Sequence, residues 1–114
     1  MNPELAEYTY AAESYDAVTL IALAAEAAKA DTGAAIAGKL VEVSKGGTKC
    51  TGFKECADLL KAGTDIDYDG VSGPVDFNDV GDPSVATIGV YQYRADNTFD
   101  AAKAVEYRRG NIDG

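Results

Sequence analysis

Residues 70–83, Gly-Val-Ser-Gly-Pro-Val-Asp-Phe-Asn-Asp-Val-Gly-Asp-Pro, separate helical patterns before them from strand patterns after them. Gly70, Gly73, Pro74 and Gly81 enclose one short alternating run, Val75-Asp76-Phe77. The backbone is therefore expected to bend, pair briefly as a strand and bend again. Residues 78–83 read as a tight connection. Asn and Asp side chains bond their own backbone in turns, Gly81 accepts positive φ, and Pro83 keeps the residue before it extended.

Upstream, residues 15–29 are dense in helix formers, and Ser14 is a candidate cap. Residues 17–25 are apolar on nearly every face, which predicts the most enclosed element of the fold. A second helix is capped by Asp31 or Thr32 and repeats Ile36, Leu40 and Val43 at i, i+4 and i+7; Lys45-Gly46-Gly47-Thr48 ends it. A third is expected over residues 53–62, with Thr51 or Gly52 at its start and Gly63 after its end. Beyond Pro83, residues 86–94 form the strongest strand pattern. Ile88, Val90 and Gln92 lie on one face, Tyr91 and Tyr93 on the other, and both faces are expected to be at least partly covered. Asp96-Asn97 reads as a turn, Thr98-Phe99 and residues 104–108 as short strands, and residues 109–114 as a frayed tail.

With 114 residues the chain is one domain at most. Nineteen acidic against ten basic residues give a net charge of −9, which repels phosphate backbones and anionic membranes and excludes a nucleic-acid partner. The longest uncharged apolar run, residues 17–25, is less than half of the roughly 20 residues a bilayer-spanning helix needs. Met1-Asn2-Pro3-Glu4 lacks the basic and apolar regions of a secretory signal, so an exported form would be a mature product or a fragment. The chain has two cysteines, Cys50 and Cys56, and no histidine, too few soft ligands for a structural zinc site. A disulfide stapling a loop to the first turn of a helix fits better and implies an oxidising compartment; two free, partly buried thiols are the alternative.

Catalytic equipment is thin. There is no histidine, no glycine-rich phosphate cradle before a helix, and no nucleophile with an evident base. Asp76 and Asp79 lack the apolar pocket that would raise one pKa for acid/base work. No enzymatic activity and no cofactor are expected. Asp65-x-Asp67-x-Asp69-Gly70 with Asp76 at the twelfth position copies the spacing of a calcium loop. Against that reading, the twelfth residue is not Glu, and Gly73-Pro74 falls where a helix should start. A solvated acidic loop is the plainer alternative. Tyr91 and Tyr93 suit packing or an interface, or ligand stacking.

The order of Tyr15-Asp16-Ala17-Val18, an alanine-rich helix, a second helix, Gly70-x-x-Gly73-Pro74-Val75-x-Phe77-x-x-x-Gly81-Asp82-Pro83 and Gly89-Val90-Tyr91-Gln92-Tyr93 resembles one family over residues 8–99. That family comprises the extracytoplasmic substrate-binding proteins of branched-chain amino-acid ABC transporters, and the similarity is to their C-terminal third. The segment holding Cys50 and Cys56 is similar to an insertion in some members. The resemblance implies an α/β fold, the C-terminal part of a type I periplasmic-binding-protein fold, with helices, a few strands and incomplete sheets. Residues 1–88 would belong to the first ligand-binding lobe, and residues 89–114 to strands of the second lobe and a tail.

The implied function is the solute-binding component of an ABC importer for amino acids or similar small solutes. Its partners would be the solute and a membrane permease, and its location the periplasm or a cell-surface lipoprotein. Family groups that hold the ligand's carboxylate and ammonium have no counterpart in this chain, so it is expected not to bind alone with useful affinity. An aromatic that packs on the ligand in leucine-binding relatives would fall close to Ala12, which departs from that pattern. Tyr10 and Glu13 flank the position and are the candidate ligand-binding residues, with a hinge-surface role as the alternative. Exposed strand edges would favour self-association. A small secreted calcium-dependent interaction module, using Asp65, Asp67, Asp69 and Asp76, is the competing function.

Overall fold

The computed structural model describes Glu4, residues 8–100 and residues 106–111. Three helices come first: α1 (Ala11–Ala28), α2 (Gly33–Ser44) and, after strand β1 (Thr48–Cys50), α3 (Phe53–Lys61). Strands β2 (Ile66–Gly70), β3 (Gly73–Pro74), β4 (Val85–Val90) and β5 (Glu106–Asn111) follow. Local sequence explains most boundaries. Thr32 accepts from the Ala35 N–H and caps α2. Glu55 reaches back from the first turn of α3 to the Thr51 N–H at 3.1 Å. Gly63, at φ +80°, takes the left-handed position after α3.

β1 and β2 run parallel with α3 as the crossover, and β2 turns back into β3 through Val71 and Ser72. Gly47 leads into β1 because nothing larger fits: a Cβ there would lie 2.5 Å from the Asp65 carbonyl carbon. The core gathers Leu20, Leu23 and Ala24 of α1, Val43 of α2, Cys56 and Ala57 of α3, and Cys50, Ile66 and Tyr68 of the sheet. Cys50 and Cys56 are joined by a disulfide with both residues buried. Ser44, fully buried, donates to the Val41 carbonyl and accepts from the Phe77 N–H at 3.1 Å, fastening the chain after β3 to the end of α2.

β4 and β5 form a separate antiparallel ribbon. The radius of gyration, 16.6 Å, exceeds the roughly 13 Å of a compact chain of this length, as expected when a ribbon stands away from the helical body. The architecture is mixed α/β with small, incomplete sheets.

Several expectations are revised. α1 begins at Ala11, not at Ser14, and its cap position is Tyr10. It is enclosed on one side only: Tyr15, Val18 and Ile21 are exposed because the body packs against the Asp16, Leu20, Leu23 face. The run at residues 75–77 contributes a single bridge, Phe77 to Pro83, while the strand precedes it at Gly73–Pro74. The strand at residues 86–94 stops at Val90, and Ile88, Val90 and Tyr93 are exposed. Thr98-Phe99 forms no strand. The described part of the expected strand at 104–108 is paired and the strand runs on to Asn111, so part of the supposed tail is paired; residues 101–105 and 112–114 lie outside the described residues.

Candidate functional site

A groove of about 620 Å³ lies between the start of α1 and the β4–β5 ribbon. One wall carries Tyr8, Tyr10, Ala12 and Glu13; the other carries Thr87, Gly89, Tyr91, Phe99 and Tyr107. Tyr10 sits at φ 62°, ψ 9°, a left-handed conformation that costs a bulky L-residue about 1–2 kcal/mol. The turn is closed by the Ala11 N–H on the Tyr8 carbonyl at 3.0 Å and the Ser14 N–H on the Tyr10 carbonyl at 2.9 Å. Strained backbone of this kind persists where its surroundings hold it, and it clusters at binding sites.

The ribbon wall follows from strand alternation. Thr87, Gly89 and Tyr91 share one parity, and register places Tyr107 opposite Gly89. A Cβ on Gly89 would meet the Tyr91 ring at 2.9 Å, so the missing side chain leaves the space that the ring occupies. Tyr107 meets Tyr91 edge-on with centroids 6.4 Å apart, and Phe99 lies 5.4 Å from Tyr91 and 5.0 Å from Tyr93. Phe99 is brought back by the turn at Asp96-Asn97. There the Asp96 carboxylate accepts from the Thr98 N–H and hydroxyl, and Asn97 takes φ 62°. Those two Thr98 donors also hold the Asp96 carboxyl below its ordinary pKa.

The helix wall is anchored by a side chain that sequence reasoning assigned no role. Asp16, 1% exposed, accepts from the Tyr68 hydroxyl (2.8 Å), the Val71 N–H (3.0 Å), the Ser72 N–H (2.8 Å) and the Ser72 hydroxyl. Burial alone raises this carboxyl's pKa, but the donors from Ser72, Tyr68 and Val71 together outweigh it and hold it below the usual value. Burial, with the Asp16 charge beside it, pushes the Tyr68 phenol up to about 12. Gly70 permits the approach, since a Cβ there would stand 2.2 Å from the Asp16 carboxylate. The signal was present in an acidic residue on the inward face of an apolar helix, at i−4 from Leu20. It becomes legible only once the β2–β3 turn is known to present its N–H groups there.

Tyr10 and Glu13, the candidate ligand residues, both line the groove and a neighbouring apolar cavity of about 360 Å³. Ala12 lines the groove as well. The acidic residues divide differently. Asp67, Asp69 and Asp76 bring one carboxylate oxygen each to within 4.8 Å of one another, whereas Asp65 turns its carboxylate to the Ile66 N–H. Asp67 and Asp69 lie on an extended strand, and the Lys49 ammonium sits 3.0 Å from both. One Oδ of Asp76 is buried without a hydrogen-bond partner. The arrangement is a salt-bridged strand pair with Asp76 beside it, and a Lys side chain already supplies its cation.

Residues 2–96 match the receptor family ligand binding region. The chain belongs to that family. No curated protein and no solved structure matches it. The receptor family ligand-binding region is built on a type I periplasmic-binding-protein-like fold, which the mixed α/β architecture fits. It is a family of extracellular ligand-binding domains, not of enzymes. The formed Cys50–Cys56 disulfide agrees with an oxidising, extracytoplasmic setting. Among the described residues no helix is long and apolar enough to cross a membrane.

Proposed function

We propose that this receptor family region is part of the solute-binding component of an ABC importer for amino acids or related small solutes. It would work outside the cytoplasm and deliver its ligand to a membrane permease. Residues 1–88 contribute to the first lobe and residues 89–114 to the second, so the groove between α1 and the ribbon lies on the ligand side of the hinge. The observation that carries this reading is the convergence of Tyr10 and Glu13, from the helix, with Thr87, Gly89 and Tyr91, from the ribbon, around one groove. Its volume falls within the ~300–1,000 Å³ of small-molecule sites. Closure of two lobes then excludes water and completes the contacts.

The test is a thermal-shift screen of the protein expressed from its whole reading frame against amino acids, amides and urea-like solutes. A ligand at a hundred times its Kd stabilises by about 2.7 kcal/mol, several degrees in melting temperature. Glu13→Gln and Tyr10→Ala should reduce the shift. A screen in which no amino acid or related solute stabilises the protein would refute the assignment.

A further inference from the structure

The chemistry of the groove wall narrows what it can hold. Tyr8, Tyr10, Tyr91, Phe99 and Tyr107 supply aromatic surface, and among the described lining residues Glu13 is the one charged side chain. The rings are partly exposed, Tyr10 at 73% and Tyr107 at 61%. The whole chain carries a net charge of −9. Aromatic faces are the negative ends of ring quadrupoles and attract cations, most effectively those already poorly hydrated. A carboxylate-bearing solute finds no counter-charge among these side chains, while an ammonium finds five rings and Glu13.

We propose that the groove takes a cationic solute whose positive centre is an alkylated ammonium, held against Tyr10, Tyr91 and Tyr107 with Glu13 as counter-ion. This rests on the reading of the groove as a solute site and names the class of solute. Alkylation favours the fit twice. Methyl groups spread the charge, so less hydration is lost on entry, and they add apolar contact with the rings. Gly89 contributes by leaving bare backbone where a side chain would push the Tyr91 ring away.

The experiment compares choline with 3,3-dimethylbutan-1-ol, its uncharged carbon isostere, by following tyrosine ring resonances of the protein expressed from its whole reading frame through NMR titration into the tens of millimolar. Choline should shift the Tyr10, Tyr91 and Tyr107 signals saturably and bind about tenfold more tightly than the isostere. Glu13→Gln, a change at an exposed position, should weaken choline severalfold and leave the isostere unaffected. Equal binding of the two probes, or no saturable shift with choline, overturns the proposal. Leucine in the same titration separates the two readings. If it shifts these rings and choline does not, the cationic class falls and the solute site stands. If choline binds and leucine with other amino acids does not, the amino-acid assignment falls and the cationic class stands; if nothing binds, both fall.

Discussion

Replacing Asp16 with Asn tests whether the interior anchor works by charge or by shape, because Asn fills the same space without the negative charge. The carboxylate accepts from four donors, three of them on the β2–β3 turn and one the buried Tyr68 hydroxyl. The amide keeps one acceptor oxygen and turns an NH2 toward the remaining donors. Two charge-assisted bonds are therefore lost, each worth about 1.5–3 kcal/mol, and some recovery by water is open to the part-buried turn. The expected net loss is about 3 kcal/mol, a large share of the roughly 5–15 kcal/mol that holds a domain together. Urea unfolding at constant m should report it as a lowered midpoint. The pH dependence gives an independent sign. The folded pKa of Asp16 is depressed, so its contribution is complete above the unfolded value near ~3.9 and is lost as pH falls through the lower folded value. The gap between wild type and D16N should thus be constant at neutral pH and shrink below about pH 4. A D16N protein within about 0.5 kcal/mol of wild type at pH 7, the ordinary range of surface substitutions, would refute the anchoring role.

Gly70→Ala should destabilise wild type by more than about 2 kcal/mol but far less in an Asp16→Ala background, because the clash is with that carboxylate; urea unfolding of the four proteins gives the coupling. Above pH 10 the wild type should lose about 1.4 kcal/mol per unit until about pH 12, since Tyr68 stays protonated in the fold while it ionises unfolded; Tyr68→Phe should abolish this slope in alkaline unfolding curves. Reducing the Cys50–Cys56 bond, which spans a sequence separation of 6, should cost about 2 kcal/mol, read from denaturation with and without dithiothreitol. Calcium at millimolar concentration should leave the melting temperature of wild type unchanged, because the Lys49 ammonium already bridges Asp67 and Asp69.

Elements whose determinants are local were legible in the sequence. The spacing of Ile36, Leu40 and Val43 located α2, and the pair Asp31 and Thr32 bracketed its start, where Thr32 proves to be the cap; the glycines at 46, 47 and 63 marked the ends of α2 and α3. Misreadings arose where a distant partner decides. The strand at residues 86–94 has sustained alternation, but pairing stops with β5 at Val90, and the Tyr91 ring leaves the ladder to lie over Gly89. The apolar circumference of α1 suggested full enclosure, yet composition sets only what a helix can bury, and the body meets one face. At the candidate site, Tyr10 and Glu13 were named from the family resemblance and both line the groove, while Phe99 and Tyr107 were not singled out. Their entry depends on the turn at Asp96-Asn97 and on cross-strand register, neither of which the residues themselves reveal.

Anchor and groove belong to one face of one helix. Tyr10 holds the cap position of α1, Glu13 lies in its first turn and Asp16 three residues on, so the start of α1 presents the candidate ligand groups toward the ribbon and, one turn later, the carboxylate that grips the β2–β3 hairpin. A rotation of the helix that moved Glu13 would have to withdraw Asp16 from its donors. The orientation of the helix wall is therefore maintained in part by bonds that Asp16 makes to the β2–β3 turn and Tyr68. Substitutions at Glu13 should alter binding with little effect on stability, whereas substitutions at Asp16 should lower stability and blur the groove together. Ring resonances of Tyr10 that stayed unshifted in folded D16N protein would show that core packing, with Leu20, Leu23 and Ala24, holds the helix in place without Asp16.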